Sequence, residues 1–211
     1  MLSVNKRFKA MSSLIGHSLA GLTVGVTHKQ FYFLTTSWTK LLWIIWLVVV
    51  AIAPDFDYIV PFLHPSAHEG LRITHSLCYA LLLPSLTVIG LRVLGCDRKS
   101  LLKATTQLAL ASASHMGLDL LVGVTSLPIL WPFSNHVFKL PFGLLPSAGK
   151  PSLSNYYFYY NLGIEMGILI PLSCSLLISQ YKRLSLWRWG IIGLLLTVST
   201  YFMHLAYGLS R

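Results

Sequence analysis

The stretch S-A-S-H-M-G-L-D-L-L at residues 112–121 lies within a long apolar segment and carries a histidine and an aspartate. His115 and Asp119 are four residues apart, so a helix places both side chains on one face. Charged side chains are costly inside a bilayer, and those that occur there usually face a cavity, a partner or an ion. The stretch therefore predicts a membrane helix with a functional polar face.

The rest of the chain has the composition of a membrane protein. Of its 211 residues, 55% are hydrophobic and 10% are charged, whereas soluble domains contain about 25% charged residues. A spanning helix needs about 20 mostly apolar residues. Six segments qualify: 12–34, 40–60, 74–95, 101–124, 159–180 and 188–208. We predict an all-α, polytopic membrane helix bundle of about five to six helices, forming a single domain over residues 1–211.

Residues 125–158 interrupt this apolar pattern. They contain five prolines and little helical periodicity, which predicts an irregular outer loop or cap. The N-terminal segment superficially resembles a signal peptide. However, His17 interrupts its apolar region and no A-x-A cleavage signal follows, which favours a retained helix.

Charge and cysteine usage exclude several classes of partner and site. The net charge of +10 arises because acidic residues are scarce, and no long basic run is present, so we expect no nucleic-acid partner. Cys78, Cys96 and Cys174 are scattered without a C-x-x-C motif. This spacing argues against a disulfide framework and against a thiolate zinc site. The expected partners are the lipid bilayer and a lipid-like or small-molecule substrate.

Basic residues concentrate in two short connections, 92–103 and 180–188. They are Arg92, Arg98, Lys99 and Lys103 in the first, and Lys182, Arg183 and Arg188 in the second. The positive-inside bias of multi-pass proteins predicts that both connections are cytoplasmic. The opposite ends of the helices, joined by 61–73 and 125–158, then lie on the non-cytoplasmic side of the cell membrane, which in a bacterium is the inner membrane.

Histidines and carboxylates gather at that outer end. Asp55 and Asp57 follow Pro54, which stops a helix, so a turn can direct both carboxylates toward one centre. His75 opens the next helix, and Asp119 lies near the outer end of 101–124. Histidine with carboxylate is the ligand set of a catalytic divalent-metal site, with zinc the favoured ion. The candidate metal ligands are His17, Asp55, His75, His115 and Asp119.

Ordinary structural roles compete with each of these assignments. A buried histidine can bond to a backbone carbonyl, and an acidic turn can simply be solvated at the membrane exit. His17, in G-H-S-L-A-G, fits an interhelical hydrogen bond as well as it fits a metal. His75 can be a water-facing residue beside a Thr74 helix cap.

Three further residues are candidates for catalysis. Arg72 could hold an anionic substrate oxygen. Glu165 could be a general base, a ligand or a partner of Arg72, and Asp57 could orient the attacking water. His136 could cover the site, whereas loop or structural roles suit the remaining histidines, His28, His64, His68 and His204.

Five motifs in order resemble a known family. They are G-H-S-L-A-G (16–21), P-D-F-D (54–57), R-I-T-H-S (72–76), S-H-M-G-L-D (114–119) and L-P-I-L-W-P-F-S (127–134). Together they resemble the bacterial inner-membrane family of metal-dependent hydrolases whose best-known member is controlled by the LexA repressor in the SOS response. That family is remotely similar to zinc-dependent phospholipases C and to single-strand-specific zinc nucleases. The resemblance covers roughly residues 12–180.

The resemblance implies specific roles. Asp55, His75, His115 and Asp119 would hold one zinc-like ion, and Asp119 would bridge to a second ion that His17 also holds. It further implies that Asp57 is an extra ligand or lies just outside the ligands. Glu165 would take the place of a late acidic ligand, although the histidines that accompany that ligand in the soluble enzymes are not convincingly present.

These observations predict a membrane-bound metal-dependent hydrolase that attacks a phosphoester of a lipid or lipid-like substrate with metal-activated water. The alternatives are an ion- or proton-coupled transporter and a non-catalytic structural membrane protein. A transporter favours sites near the bilayer midplane, broken helices and inverted repeats. Here the acids cluster at one end and no repeat is visible, while a structural protein needs none of these residues.

Overall fold

The structure is a computed structural model that describes residues 13–27, 36–58, 71–124, 126–147, 154–181 and 185–209. Across these ranges it contains six α-helices and, apart from an isolated bridge between Leu127 and Phe138, no β-structure. The helices are α1 (Leu14–Thr27), α2 (Ser37–Ile52), α3 (Leu77–Val93), α4 (Arg98–Val122), α5 (Tyr156–Ser179) and α6 (Leu186–Tyr207). The predicted all-α class is therefore confirmed.

Each predicted segment overlaps one helix, with different bounds. Three helical stretches are long and apolar enough to cross a membrane: Ser37–Asp57, Tyr156–Ser179 and Leu186–Tyr207. α1 and α3 are also apolar but have only 14 and 17 residues. α5 begins within the predicted outer loop, because its first turns are the aromatic run at 156–160 rather than irregular chain. His28, His64 and His68, to which the sequence assigned loop or structural roles, lie outside the described part.

α4 is the central helix of the bundle and packs against α1, α2 and α3. It buries more residues than any other helix, although its polar residues lower its hydropathy. The neighbouring helices satisfy these polar groups. Trp43 Nε1 donates to Gln107 Oε1 at 2.7 Å, and Ser112 Oγ donates to the Ala80 carbonyl at 2.6 Å. α4 can therefore contain buried polar side chains that would be costly on a helix facing lipid.

α1 approaches α2 and α5 closely through small residues. A Cβ on Gly21 would lie 2.9 Å from the Leu47 carbonyl and from the Ala51 Cβ, so α1 and α2 can pack this closely only with glycine there. Thr23 Oγ1 also donates to Ser173 Oγ of α5 at 2.9 Å. This packing places α1 in contact with α4 as well.

The elements that position the site end or begin at one end of the bundle. α2 runs into a 3₁₀ turn, Ala53–Tyr58, and a second 3₁₀ turn, Ile73–His75, precedes α3. Ser76 caps α3 by accepting from the Tyr79 N–H at 3.3 Å. α4 ends at Gly123, whose φ of 68° lies in the left-handed region that glycine adopts without strain.

The described part of the loop predicted at 125–158 is tied to this same end. Leu77 N–H donates to the Ile129 carbonyl at 2.9 Å, and Leu145 N–H donates to the Leu121 carbonyl at 3.0 Å. Asn161 Nδ2 donates to the Ser147 carbonyl at 2.7 Å. These bonds hold residues 126–147 across the start of α3, the end of α4 and the start of α5.

Candidate metal centre

The structure brings all five predicted metal ligands into one buried cluster. His17 comes from α1 and Asp55 from the turn after α2. His75 comes from the turn before α3, and His115 and Asp119 come from α4. Four of these residues are 0% exposed, and Asp55 is 7% exposed. We call these five residues the His–Asp cluster.

His75, His115 and Asp119 each offer one ligand atom within 4.8 Å of the others, and Asp55 lies beside them. His75 Nε2 lies 3.2 Å from His115 Nε2, 3.4 Å from Asp55 Oδ1 and 3.2 Å from Asp119 Oδ2. His115 Nε2 lies 3.9 Å from Asp55 Oδ1 and 3.5 Å from Asp119 Oδ2. Zinc with ligand bonds of about 2.0–2.1 Å has tetrahedral edges of about 3.3–3.4 Å. The five measured separations cluster around that edge.

Hydrogen bonds at the Nδ1 atoms of His75 and His115 determine which nitrogen of each ring is the basic one. His115 Nδ1 lies 2.7 Å from the Ala51 carbonyl, which can only accept, so Nδ1 carries the proton. Thr74 Oγ1 donates to Asp57 Oδ2 at 3.0 Å, so it accepts from His75 Nδ1 at 2.9 Å. In their neutral forms both rings therefore direct an Nε2 lone pair toward the same point. Such outer bonds typically orient metal-binding histidines.

His17 faces the opposite side of the same two carboxylates. Its Nε2 lies 3.3 Å from Asp119 Oδ1 and 3.7 Å from Asp55 Oδ2. Its ring stacks on that of His115 with centroids 3.9 Å apart. Within the described residues, neither ring nitrogen of His17 makes a hydrogen bond. Ions in two-metal sites lie about 3.5–4 Å apart, so the stacked rings have the spacing of ligands to two neighbouring ions.

Asp57 and Arg72 form an ion pair just outside the His–Asp cluster. Arg72 Nη2 lies 2.8 Å and 2.9 Å from the two oxygens of Asp57, and Arg72 Nε donates to Asp57 Oδ2 at 3.2 Å. Arg72 Nη2 is also 3.6 Å from Asp55 Oδ1. Arg72 is 3% exposed. Its guanidinium is thus engaged with the chain's own carboxylates rather than presented to solvent.

Glu165 lies at the N-terminus of α1. It is 0% exposed, and its Oε1 accepts from the Ser13 N–H at 3.0 Å. A carboxylate at this position is favoured by the positive end of the helix dipole. Glu165 also packs against Gly16, the residue before His17. The structure therefore places Glu165 against the first turn of α1, beside the residue that precedes His17.

The other candidate histidines lie apart from this arrangement. His136 is exposed and packs edge-on against Phe138, with ring centroids 4.9 Å apart. His204 is exposed on α6.

The sequence did not identify two groups that orient histidines of the cluster, the Thr74 hydroxyl and the Ala51 carbonyl. Thr74 was expected to act at most as a helix cap, but Ser76 caps α3 and Thr74 bonds to His75. The Ala51 carbonyl, which holds His115, is a backbone group and leaves no signature in a sequence. The only local signal was the Thr74–His75 adjacency, which by itself is common.

A family model described as YdjM inner membrane protein matches residues 11–206, a range that includes the whole His–Asp cluster. Comparison with curated proteins and with solved structures gave no match.

Proposed function

The chain belongs to the YdjM inner membrane protein family, and from this premise we propose that it is a membrane-bound, metal-dependent hydrolase. The family description and the three helical stretches of spanning length support an inner-membrane location. The hydrolase activity is our inference from the chemistry of the His–Asp cluster.

One observation carries the proposal: His75 Nε2, His115 Nε2 and carboxylate oxygens of Asp55 and Asp119 approach one another closely, with five separations of 3.2–3.9 Å. With neutral histidines, Asp55 and Asp119 leave two negative charges in a buried space, which is costly unless a cation offsets them. One divalent ion neutralises that charge. A second ion beside His17 would leave the centre positive, which suits an anionic substrate. Nitrogen and oxygen ligands without thiolate are typical of catalytic zinc.

Zinc bound at such a centre would lower the pKa of a coordinated water toward about 7 and would polarise a phosphoryl oxygen. The chain's own residues hold this geometry. Thr74 and Asp57 orient His75, and the Ala51 carbonyl orients His115. Arg72 offsets the charge of Asp57, so that the Asp57 carboxylate can accept from Thr74 without adding uncompensated charge beside the centre.

Asp55 lies on the accessible side of the centre, because it alone among the cluster residues has measurable exposure. We assign it the position nearest the incoming substrate. Asp57, which lies in the same 3₁₀ turn as Asp55, is the candidate for orienting the attacking water. Glu165 acts by positioning α1 and with it His17. These assignments revise the sequence-based suggestion that Arg72 contacts the substrate directly.

A lipid or lipid-like phosphoester fits the surroundings of the centre. Large aromatic side chains are exposed at this end of the bundle, including Phe133 at 88%, Tyr156 at 70% and Tyr157 at 73%. Aromatic residues of this kind concentrate at membrane–water interfaces. A centre at that level would meet lipid headgroups, so we propose hydrolysis of a headgroup phosphoester.

Metal analysis of purified protein tests the first half of this proposal. We expect one to two zinc ions per chain in protein prepared without chelators, with strong loss in His115→Ala and Asp119→Asn. His204→Ala, which removes an exposed histidine of α6, is the matched control and should retain the metal. Substoichiometric metal that does not change in the cluster variants would reject the metal centre.

A hydrolysis screen tests the second half. Wild-type protein and Asp55→Asn should be compared on phospholipids and on generic phosphodiesters after zinc loading. We expect turnover by wild type and its loss in Asp55→Asn. Full metal occupancy without turnover of any of these substrates would reject the phosphoester while leaving the metal centre in place. Zinc-independent proton or ion flux in liposomes would instead favour a transporter.

A further inference from the structure

An apolar cleft is lined in part by the two residues that flank Asp55 of the His–Asp cluster in the chain. It has a volume of about 230 Å³ and runs between the turn that follows α2 and the first half of α3. Pro54 and Phe56 line one wall, and Tyr79, Leu82, Leu83 and Leu86 line the other. Among the cleft's lining residues, only Tyr79 has a polar side-chain group, so the part of any ligand that enters must be apolar.

The cleft is adjacent to the centre in the chain and in space. Asp55 lies between the two wall residues Pro54 and Phe56. Its Oδ1 is 3.4 Å from His75 Nε2, and it is the one cluster residue that is not fully buried. A molecule whose polar end reaches Asp55 can therefore extend its apolar part along the cleft.

The α3 wall of the cleft reaches the surface of the bundle. This wall is formed by residues 79, 82, 83 and 86, which share one helix face at the spacing i, i+3, i+4 and i+7. This stripe is about 10 Å long at the helical rise. Leu82 and Leu86 are 53% and 56% exposed. In a membrane protein such a surface of exposed leucines faces acyl chains rather than water.

We propose that this cleft binds an acyl chain of the substrate lipid and thereby presents the headgroup ester to the His–Asp cluster. The inference rests on the proposed hydrolase function. The cleft is smaller than the pockets of about 300–1,000 Å³ that enclose whole drug-sized ligands. It therefore has room for a segment of one chain rather than for a whole lipid. Its apolar lining disfavours the charged headgroup, which we place at Asp55.

Photo-crosslinking tests the occupant without requiring turnover. The protein is reconstituted in phosphatidylglycerol–phosphatidylethanolamine vesicles that contain a trace of phospholipid with a diazirine in one acyl chain. After irradiation, labelled residues are mapped by mass spectrometry. We expect labelling of Phe56 and Tyr79 to exceed labelling of Ile89, which lies on the same exposed surface outside the cleft.

A matched pair of variants makes the result specific. Leu86→Trp adds bulk to the wall of the cleft, whereas Ile89→Trp adds the same bulk outside it at a position of similar exposure, 59% against 56%. We expect Leu86→Trp to reduce labelling of Phe56 and Tyr79 several-fold and Ile89→Trp to leave it unchanged, with equal zinc content in both. Uniform labelling along α3 in all three proteins indicates annular lipid only and would overturn the proposal.

Kinetics separate failure of the cleft from failure of the hydrolase. If turnover is found, Leu86→Trp should lower kcat/KM more for a long-chain substrate than for its short-chain analogue. Turnover without chain-length dependence, together with uniform labelling, would overturn the cleft and keep the hydrolase. Specific labelling without any turnover would keep the cleft and remove the hydrolase.

Discussion

His75 and His115 face each other through their Nε2 atoms at 3.2 Å, although they belong to different elements. Each ring is held at its other nitrogen, by Thr74 and by the Ala51 carbonyl respectively. Two lone pairs this close repel each other unless a proton or a cation lies between them. The protein therefore holds the rings in an arrangement that favours a proton or a cation between them.

The Thr74 hydroxyl should control metal affinity through His75. Thr74→Val keeps the shape of the side chain but removes the oxygen that accepts from His75 Nδ1. Loss of such an outer partner typically weakens metal binding about 10- to 100-fold. We expect a decrease of that size in a zinc competition titration, and Thr74→Ser should restore wild-type affinity. Equal affinity in the wild-type and valine proteins would show that Thr74 does not orient the ligand.

The Asp57–Arg72 ion pair should be costly to break from one side. Both side chains are almost fully buried, at 7% and 1% exposure. Arg72→Met leaves the Asp57 carboxylate buried without its cation, which costs roughly 3–5 kcal/mol. The double variant Arg72→Met/Asp57→Leu should recover most of this stability, because an apolar pair of similar volume is often neutral. Denaturant unfolding in detergent measures both.

The double variant should nevertheless bind zinc more weakly than the wild-type protein, because Thr74 has lost Asp57 as its acceptor. A single variant that is no less stable than the double variant would contradict the assigned role of the ion pair.

Gly16 should be required for the position of His17. A Cβ at this position would collide with the Glu165 carboxylate and lie 3.1 Å from Leu169 Cδ1. Overpacking of this kind typically costs roughly 1–3 kcal/mol. We expect Gly16→Ala to lower both stability and zinc stoichiometry, because α1 must shift and His17 moves with it.

Gly117 provides the matched control for Gly16. It lies between His115 and Asp119, yet a Cβ there would meet nothing within 4 Å. Gly117→Ala should keep full zinc content and gain up to about 1 kcal/mol from helix propensity. Thermal unfolding and metal analysis of both variants distinguish close packing at α1 from a general sensitivity of the centre to alanine.

The His–Asp cluster should lie on the non-cytoplasmic side of the membrane. This prediction comes from the basic connections 92–103 and 180–188, of which residues 182–184 lie outside the described part. In a background without Cys78, Cys96 and Cys174, a membrane-impermeant thiol reagent applied to intact cells should label His136→Cys. It should leave Lys99→Cys unlabelled. The reverse pattern would place the centre on the cytoplasmic face.

Local pattern was sufficient for the fold class and for the choice of candidate ligands. Apolar segment length predicts helices because it depends only on neighbouring residues, and all six predicted segments overlap one. The His115/Asp119 spacing places both on one helix face for the same reason. The central position of α4 was not predictable. Its many polar residues indicate that it packs against other helices but do not indicate which helices these are.

Pairing between distant residues required the tertiary structure. The sequence left Arg72 open to a substrate oxygen or to Glu165, whereas in the structure it binds Asp57. The sequence left His17 open to an interhelical hydrogen bond or to a metal, whereas in the structure its Nε2 lies 3.3 Å from Asp119 Oδ1.

The sequence by itself determined that this protein is an all-α membrane bundle with histidines and carboxylates near helix ends, because hydropathy and helical spacing are local properties. Only the tertiary structure decided that five of these residues meet with contacts of 3.2–3.9 Å, and that a threonine and a backbone carbonyl orient two of them. The reason is physical: separations of a few ångströms between residues far apart in the chain depend on how closely helices pack. A glycine contact or a backbone hydrogen bond determines how closely two helices approach, and neither can be recognised in the sequence.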